Sequence, residues 1–296
     1  MKGKMFIRLV AWFAVLGLAP LSAPAGAHAA MKIGVLAKRG NVVAMKKWKP
    51  LADYLTKETG TPFEVVPLNF EEIEPSVSGG RIDYLIANSG FYVDMHEKYG
   101  VKALASLLNM REGRALNRFG GVIFTRAGSS IRSLADLRGT RFMCVKRTSF
   151  GGGQMAFRHL IEHGINPFRD FTLVEGKKHD NVVYAVKNGV MDAGTVRSDT
   201  LERMEAEGKI RMGEFRVIDP AHDGFPFVHT TILYPEWPFA ALAKTPADLN
   251  RRVTRALLSL KEGHPAAKAA KIAGWTAPLD YGPVAECLRI VREHEK

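Results

Sequence analysis

The chain has 296 residues, 46% hydrophobic and 24% charged, with 28 Gly and 15 Pro. Those proportions exclude collagen-like, disordered and multi-span membrane chains, and a length of about 300 is where one core gives way to two. The formal charge is +12, or +9 without Lys2, Lys4 and Arg8; this fits an anionic partner, but no basic run forms the dedicated patch that nucleic acid requires.

Lys2, Lys4 and Arg8 form a basic n-region, Leu9 to Leu18 an apolar h-region, and Ala27-His28-Ala29 an A-x-A cleavage signal. The apolar run is shorter than the ~20 residues a spanning helix needs. Residues 1–30 are therefore expected to be a cleaved signal peptide, and the mature chain to be exported.

From Met31 onward short apolar runs alternate with helical patterns. Met31 to Leu36 reads as a strand, Val43 to Glu58 as a helix closed by Gly60, and Phe63 to Val66 as a second strand. Glu71 to Val77 is a short helix, Tyr84 to Ile86 a third strand, and Phe91 to Lys98 a helix ending at Gly100. Such βαβαβ alternation implies a parallel sheet covered by helices.

A second series begins at Gly120. Val122 to Phe124 is a strand, Ser133 to Leu137 a short helix with Ser133 as N-cap, Phe142 to Val145 a strand, and Gln154 to His163 a helix stopped by Gly164. Phe171 to Val174, Asp180 to Lys187, Ala193 to Val196 and Asp199 to Glu207 continue the alternation. The final stretch opens with a strand over Thr230 to Tyr234. It then turns helical, with Val253, Ala256, Leu257 and Leu260 at helical spacing. Residues 31–119 with 227–296 are expected to form one lobe and 120–226 the other, joined by two crossing segments that make a hinge.

Cys144 and Cys287 are the two cysteines. Export permits a disulfide, but the reading is two separate buried thiols, with a metalloid-binding role for Cys144 as the alternative.

Ligands bind open α/β sheets at the carboxyl ends of the strands. Four strand-to-helix loops stand out: Ala87 to Gly90, Lys146 to Gly153, Gly176 to Asp180 and Gly194 to Ser198. Thr148 and Ser149 ahead of Gly151 supply small hydroxyls at a helix start, which suits an anion. Arg197 would add a bidentate pair to an oxyanion. The competing reading is that Thr148 and Ser149 merely cap the helix. Asn88, Ser89, Gly90, Tyr92 and His179 complete the candidate ligand-binding set, with the Tyr92 hydroxyl reaching the ligand.

His159-Leu160-Ile161-Glu162-His163 matches an H-x-x-E-H zinc motif. Histidine beside Gly164 is favoured by the helix dipole without any metal, and no third ligand is evident. No metal or other cofactor is assigned, and with no nucleophile elbow or phosphate loop, no catalytic residues.

Trp48-Lys49-Pro50-Leu51-Ala52-Asp53-Tyr54-Leu55, Asn88-Ser89-Gly90-Phe91-Tyr92-Val93 and Phe119 to Phe124 are familiar, as are Leu134 to Gly139, Ser149 to Gly152, Asp192 to Arg197 and Leu233 to Pro238. On these segments the chain resembles the PhnD-like phosphate/phosphite/phosphonate-binding proteins. It is closest to the branch serving as sensor domains of histidine kinases, such as the tetrathionate sensor. The resemblance covers Met31 to Lys296 and implies a type II periplasmic-binding-protein fold, a Venus flytrap of two lobes, each a mostly parallel sheet flanked by helices. It implies that Thr148, Ser149 and Gly151 hold the anion from one lobe and Asn88, Ser89, Gly90 and Tyr92 from the other. The sensor branch reads Asn-Pro-Gly-His-Tyr and Gly-Gly-Trp in its two loops, with Arg before Leu-Tyr-Pro-Glu-Trp. Here Ser89, Phe91, Gly153 and Ile232 stand at those places.

The expectation is a periplasmic, non-catalytic protein closing on a small oxyanion and presenting it to a membrane sensor kinase or ABC permease, with no nucleic-acid partner. No transmembrane helix or kinase core follows in the sequence, so it is expected to act as a free protein. The rival is a metal-dependent hydrolase or cofactor-precursor synthase on the same two-lobed fold.

Overall fold

The computed structural model describes residues 29–296; the n-region and h-region of the expected signal peptide lie outside the described residues. The chain opens with Met31–Leu36 (β1), Asn41–Thr59 (α1), Phe63–Leu68 (β2), Ile73–Ser78 (α2), Tyr84–Ile86 (β3) and Ser89–Tyr99 (α3). α1 buries Ala44, Trp48, Leu51 and Leu55, one stripe at helical spacing, and Gly60 at φ 67° ends it. Lys102–Arg111 (β4), Arg114–Leu116 (β5) and Arg118–Phe119 (β6) follow.

Gly121–Arg126 (β7), Arg141–Cys144 (β8), Met155–Glu162 (α4), Thr172–Glu175 (β9), His179–Lys187 (α5), Ala193–Arg197 (β10), Thr200–Ala206 (α6) and Phe215–Val217 (β11) form the second series. The chain then returns through Tyr234–Pro235 (β12), Pro238–Ala241 (β13), Ala247–Ser259 (α7), Pro265–Ala270 (α8), Ile272–Thr276 (β14) and Gly282–Glu295 (α9).

One sheet has the order β14-β4-β13-β3-β1-β2 with β5 on β4, and the other β11-β7-β10-β8-β9. Two sheets with flanking helices match the two-lobed α/β expectation, but the sheets are mixed and not mostly parallel. β1 runs parallel to β2 and β3, whereas β13, β4, β14 and β5 pair antiparallel. In the second sheet β8 is parallel to β9 and β10, and β7 antiparallel to β10 and β11. The reason is connectivity. β7 and β13 enter their sheets as the chain crosses between lobes, without the helical crossover that parallel pairing requires.

The crossings are bound side by side. β6 pairs with β12 through Phe119 and Tyr234, and the Gly121 amide donates to Thr231 Oγ1 at 2.9 Å. The expected strand over Thr230 to Tyr234 is reduced to Tyr234–Pro235. Thr230 and Thr231 use their hydroxyls as clamps, Thr230 Oγ1 accepting from the Ile123 amide at 3.1 Å and donating to the Ile218 carbonyl at 2.9 Å.

β7 sends Val122 and Phe124 into the core on one face of the second sheet and Ile123 into that on the other, the period-2 alternation of a doubly covered strand. The first lobe's core extends further, taking in Cys144, Phe150, Met155 and Phe157 of the second segment. Phe150 meets Tyr234 edge-on at 5.0 Å between centroids, and Cys287 Sγ donates to the Gln154 carbonyl at 3.5 Å. The lobes thus share an apolar seam where α4 packs on α9.

Both cysteines are free and buried, as two separate thiols. Burial, foremost, pushes each thiol up to about 12. The folded protein is expected to show no prompt reaction with an aromatic disulfide reagent at pH 8, and two thiols after denaturation in guanidinium. Prompt native reaction of Cys287 would show the seam to be open in solution.

Candidate functional site

The carboxyl ends of both sheets face each other across a narrow cavity of about 20 Å³ that is partly open to solvent. All four expected loops reach it, contributing Asn88, Ser149 with Gly151, Lys177 with His179, and Arg197. Leu36, Phe70, Phe119, Val145 and Trp237 supply apolar walls, and Lys38 enters just beyond β1. A low-dielectric wall strengthens every charge interaction inside it.

Asn88 is the N-cap of α3, its Oδ1 accepting from the Phe91 amide at 3.0 Å; Nδ2 remains for the cavity. Ser149 precedes the widened turn Phe150–Gln154 that leads into α4, and its side chain caps no helix amide. The residue is buried, but its hydroxyl reaches the cavity and makes no hydrogen bond among the described residues. Gly151 is required by space: a Cβ there would lie 2.7 Å from the Phe119 ring and 3.0 Å from Arg197 Cβ.

His179 opens α5, and its Nδ1 accepts from the Arg197 amide at 3.4 Å. That fixes the tautomer with the proton on Nε2, a neutral N–H donor. Burial, then Lys38 and Arg197, hold the imidazole down at about 3, so it stays neutral near pH 7.

Arg197, 6% exposed, is already paired. Nη2 donates to Glu236 Oε1 at 2.7 Å, Nε lies 3.3 Å from Asp199 Oδ1, and the guanidinium sits 4.2 Å over Phe119. The expected bidentate grip on a ligand is therefore corrected: Nη1 alone has no hydrogen-bond partner among the described residues. Asn109 also donates to Glu236, and Arg111 pairs with Asp199. Burial raises the Asp199 carboxyl, but Arg197, Arg111 and Lys38 outweigh it and hold it below its ordinary value.

Around this cluster Arg197, Arg111, Lys38 and Lys47 face Asp199 and Glu236. Burial, followed by Arg197, brings Lys38 down to about 7. Burial and the Arg111 charge hold Lys47 well below its usual range. Positive charge exceeds negative here whenever the lysines keep their protons.

Four sequence-predicted residues stand apart from the cavity lining. Ser89 donates to the Pro235 carbonyl at 2.6 Å. Gly90 packs where a Cβ would lie 3.0 Å from Gln154 Oε1, and Thr148 is exposed. Tyr92 accepts from the Ala103 amide at 3.3 Å and packs edge-on against Tyr281 at 4.7 Å, so its hydroxyl serves the core. Lys38, Phe70 and Lys177, and the Glu236, Asp199 and Arg111 that form a network with Arg197, are absent from the sequence-derived set. The carboxyl-end rule applied to β1 would have found Lys38.

Glu236 is 0% exposed. Arg197→Ala is expected to cost about 3–5 kcal/mol by leaving that carboxylate unpaired, measured by urea unfolding. A loss below about 1 kcal/mol would show the pair to be dispensable.

Comparison with known proteins agrees with this architecture. The chain is 34% identical over 297 residues to the tetrathionate sensor histidine kinase TtrS of Salmonella typhimurium, covering 99% of this chain and 48% of the relative. It thus spans about half that protein's length. PhnD1 of Prochlorococcus marinus in complex with methylphosphonate superposes with TM-score 0.70 at 14% identity, covering 90% of this chain and 99% of that one. XAC2383 of Xanthomonas citri bound to chloride gives 0.70 at 20% identity with the same coverage. At these identities the likeness to solved structures is one of fold. Residues 33–281 match the sequence family described as ABC transporter, phosphonate, periplasmic substrate-binding protein, and to that family the chain belongs.

Proposed function

We propose that this protein is an exported, non-catalytic solute-binding protein whose lobes, 31–119 with 227–296 and 120–226, close on a small oxyanion. The observation carrying this reading is the surplus of positive charge around the cavity, beside hydrogen-bond donors converging from both sheets. Asn88 Nδ2 and Lys38 approach from the first, and the Ser149 hydroxyl, His179 Nε2–H and Arg197 Nη1 from the second. An anion touching both sheets binds the closed arrangement better than any open one, and only that difference drives closure.

Phosphonate- or phosphite-like anions and sulfur or metalloid oxyanions are the candidate ligands. Presentation to a membrane sensor kinase is the preferred output, because the relative at 34% identity is named as such a kinase; delivery to an ABC permease is the second reading. A pull-down from membranes recovering only a permease would reverse that order.

A thermal-shift panel of oxyanions on the mature chain is expected to give one class of hits. A ligand at ~100 times its dissociation constant adds about 2.7 kcal/mol. Ser149→Ala removes a hydrogen bond to a charged ligand, about 1.5–3 kcal/mol, or roughly ten- to a hundredfold in affinity. An undiminished shift in that variant would place the ligand elsewhere.

Affinity should also depend on pH. A bound anion favours the charged form of Lys38, so above about 7 binding takes up a proton. Calorimetry is expected to show affinity falling by up to about tenfold per pH unit above that point, and levelling below it. Lys38→Met should bind more weakly with a flatter profile; an unchanged slope would exclude Lys38 as the coupled group.

A further inference from the structure

The H-x-x-E-H segment lacks a third ligand in sequence, and the fold supplies one. His159 and His163 lie one turn apart at the end of α4, ring centroids 4.4 Å apart. Asp219 arrives from the loop after β11, its Oδ2 2.8 Å from His159 Nε2 and 4.0 Å from His163 Nε2. The three candidate ligand atoms all lie within 4.8 Å of one another.

The hydrogen bond of His163 leaves its free nitrogen prepared for a cation, which would displace the proton that His159 Nε2 shares with Asp219. His163 Nδ1 lies 2.7 Å from the His159 carbonyl, which only accepts, so Nδ1 carries the proton and Nε2 presents a lone pair. That lone pair and the Asp219 carboxylate are two acceptors facing each other beyond hydrogen-bond reach. A carbonyl orienting the far nitrogen of a histidine is also the usual support of a metal ligand. Asp219 is held in place because the Ile218 amide donates to the Ile123 carbonyl at 2.8 Å and the Ile218 carbonyl accepts from Thr230.

We propose that His159, His163 and Asp219 form a divalent transition-metal site on the outer side of the second lobe, for a zinc-class ion. Two imidazoles and one carboxylate suit zinc, with water completing a tetrahedron. Metal–ligand bonds of about 2.0–2.2 Å are reached by small rotations of His163 and Asp219, both 48% exposed, around a His159 that is 14% exposed. Glu162 does not take part: its Oε1 accepts from Arg158 Nε at 2.8 Å. An occupied site would join the end of α4 to the segment that returns the chain to the first sheet. It stands independently of the anion cavity.

The test is zinc titration of the chelator-stripped full chain by calorimetry, with the melting temperature as a second readout. The expected result is one zinc per chain and a raised melting temperature. His163→Ala and Asp219→Asn should each weaken binding by at least about tenfold, since even outer-shell changes at metal sites cost 10–100-fold. Both positions are exposed, and unchanged metal-free melting temperatures would show that the variants fold. Cobalt(II) should give the visible absorption of a tetrahedral site in the parent and lose it in both variants. No stoichiometric binding, or binding unaltered in either variant, overturns the assignment and leaves His159–Asp219 as a simple hydrogen-bonded pair.

Discussion

The completely buried carboxylate of Glu236 dictates much of the surrounding structure. Enclosing it demands a cation, and that cation is Arg197 from the opposite lobe. Asn109 completes its coordination from β4, the Trp237 amide donates to its other oxygen at 3.3 Å, and Asp199 and Arg111 extend the network across the interface. Three consequences follow. The lobes are registered against each other by charge, the guanidinium presents one edge to the cavity, and Lys38 and Lys47 have no salt-bridge partner of their own among the described residues. Buried ion networks contribute little net stability compared with apolar packing. The geometry they impose is the more important result.

That registration acts beside a seam that is mainly apolar, with Arg158 of α4 bridging to Tyr234 and Glu286 at its edge. Phe150, packed against Tyr234 and Phe119, stands at the start of the turn that brings Gly151 to the cavity. The same turn leads into α4, which lies on α9. Cavity wall and interlobe contact are therefore neighbouring parts of one segment, and any opening of the lobes must disturb both. A ligand spanning the cavity adds to contacts already made by the closed form, so a modest difference in its affinity for the two states shifts the population substantially.

Local pattern carried the elements and the loops. The helix stripe of α1, the alternation in β7 and the four strand-to-helix loops are all period or terminus signals, and Asn88, Ser149, Gly151, His179 and Arg197 lie where such signals put them. The failures have a common origin in long-range pairing. Arg111 meets Asp199 across 88 positions of sequence, and nothing near either residue advertises the other. Lys38 resembles any surface lysine until the place of β1 in the sheet is known. Tyr92 begins near the cleft in sequence, but three residues beyond Ser89 the helix has turned it toward Tyr281. Asp219 escapes notice for the same reason as Arg111, since only the pairing of β11 with β7 carries it toward α4.

Under the proposed function, the electrostatics of the cavity and its selectivity for an anion are two aspects of one linkage. Burial strips Lys38 of most of its preference for the charged form, and Arg197 opposes that charge further. An anion restores what burial removed, so ligand and proton each strengthen the binding of the other. A neutral solute of the same shape would gain nothing from this exchange and would leave the donors of Ser149 and His179 partly unmatched. Under the proposed function, discrimination against such solutes would arise from the excess positive charge of the free cavity as much as from contacts made in the complex. Nor need Arg197 be released from Glu236 for this to work: the permanent pair fixes the geometry, while the adjustable lysine supplies the charge that responds to the ligand.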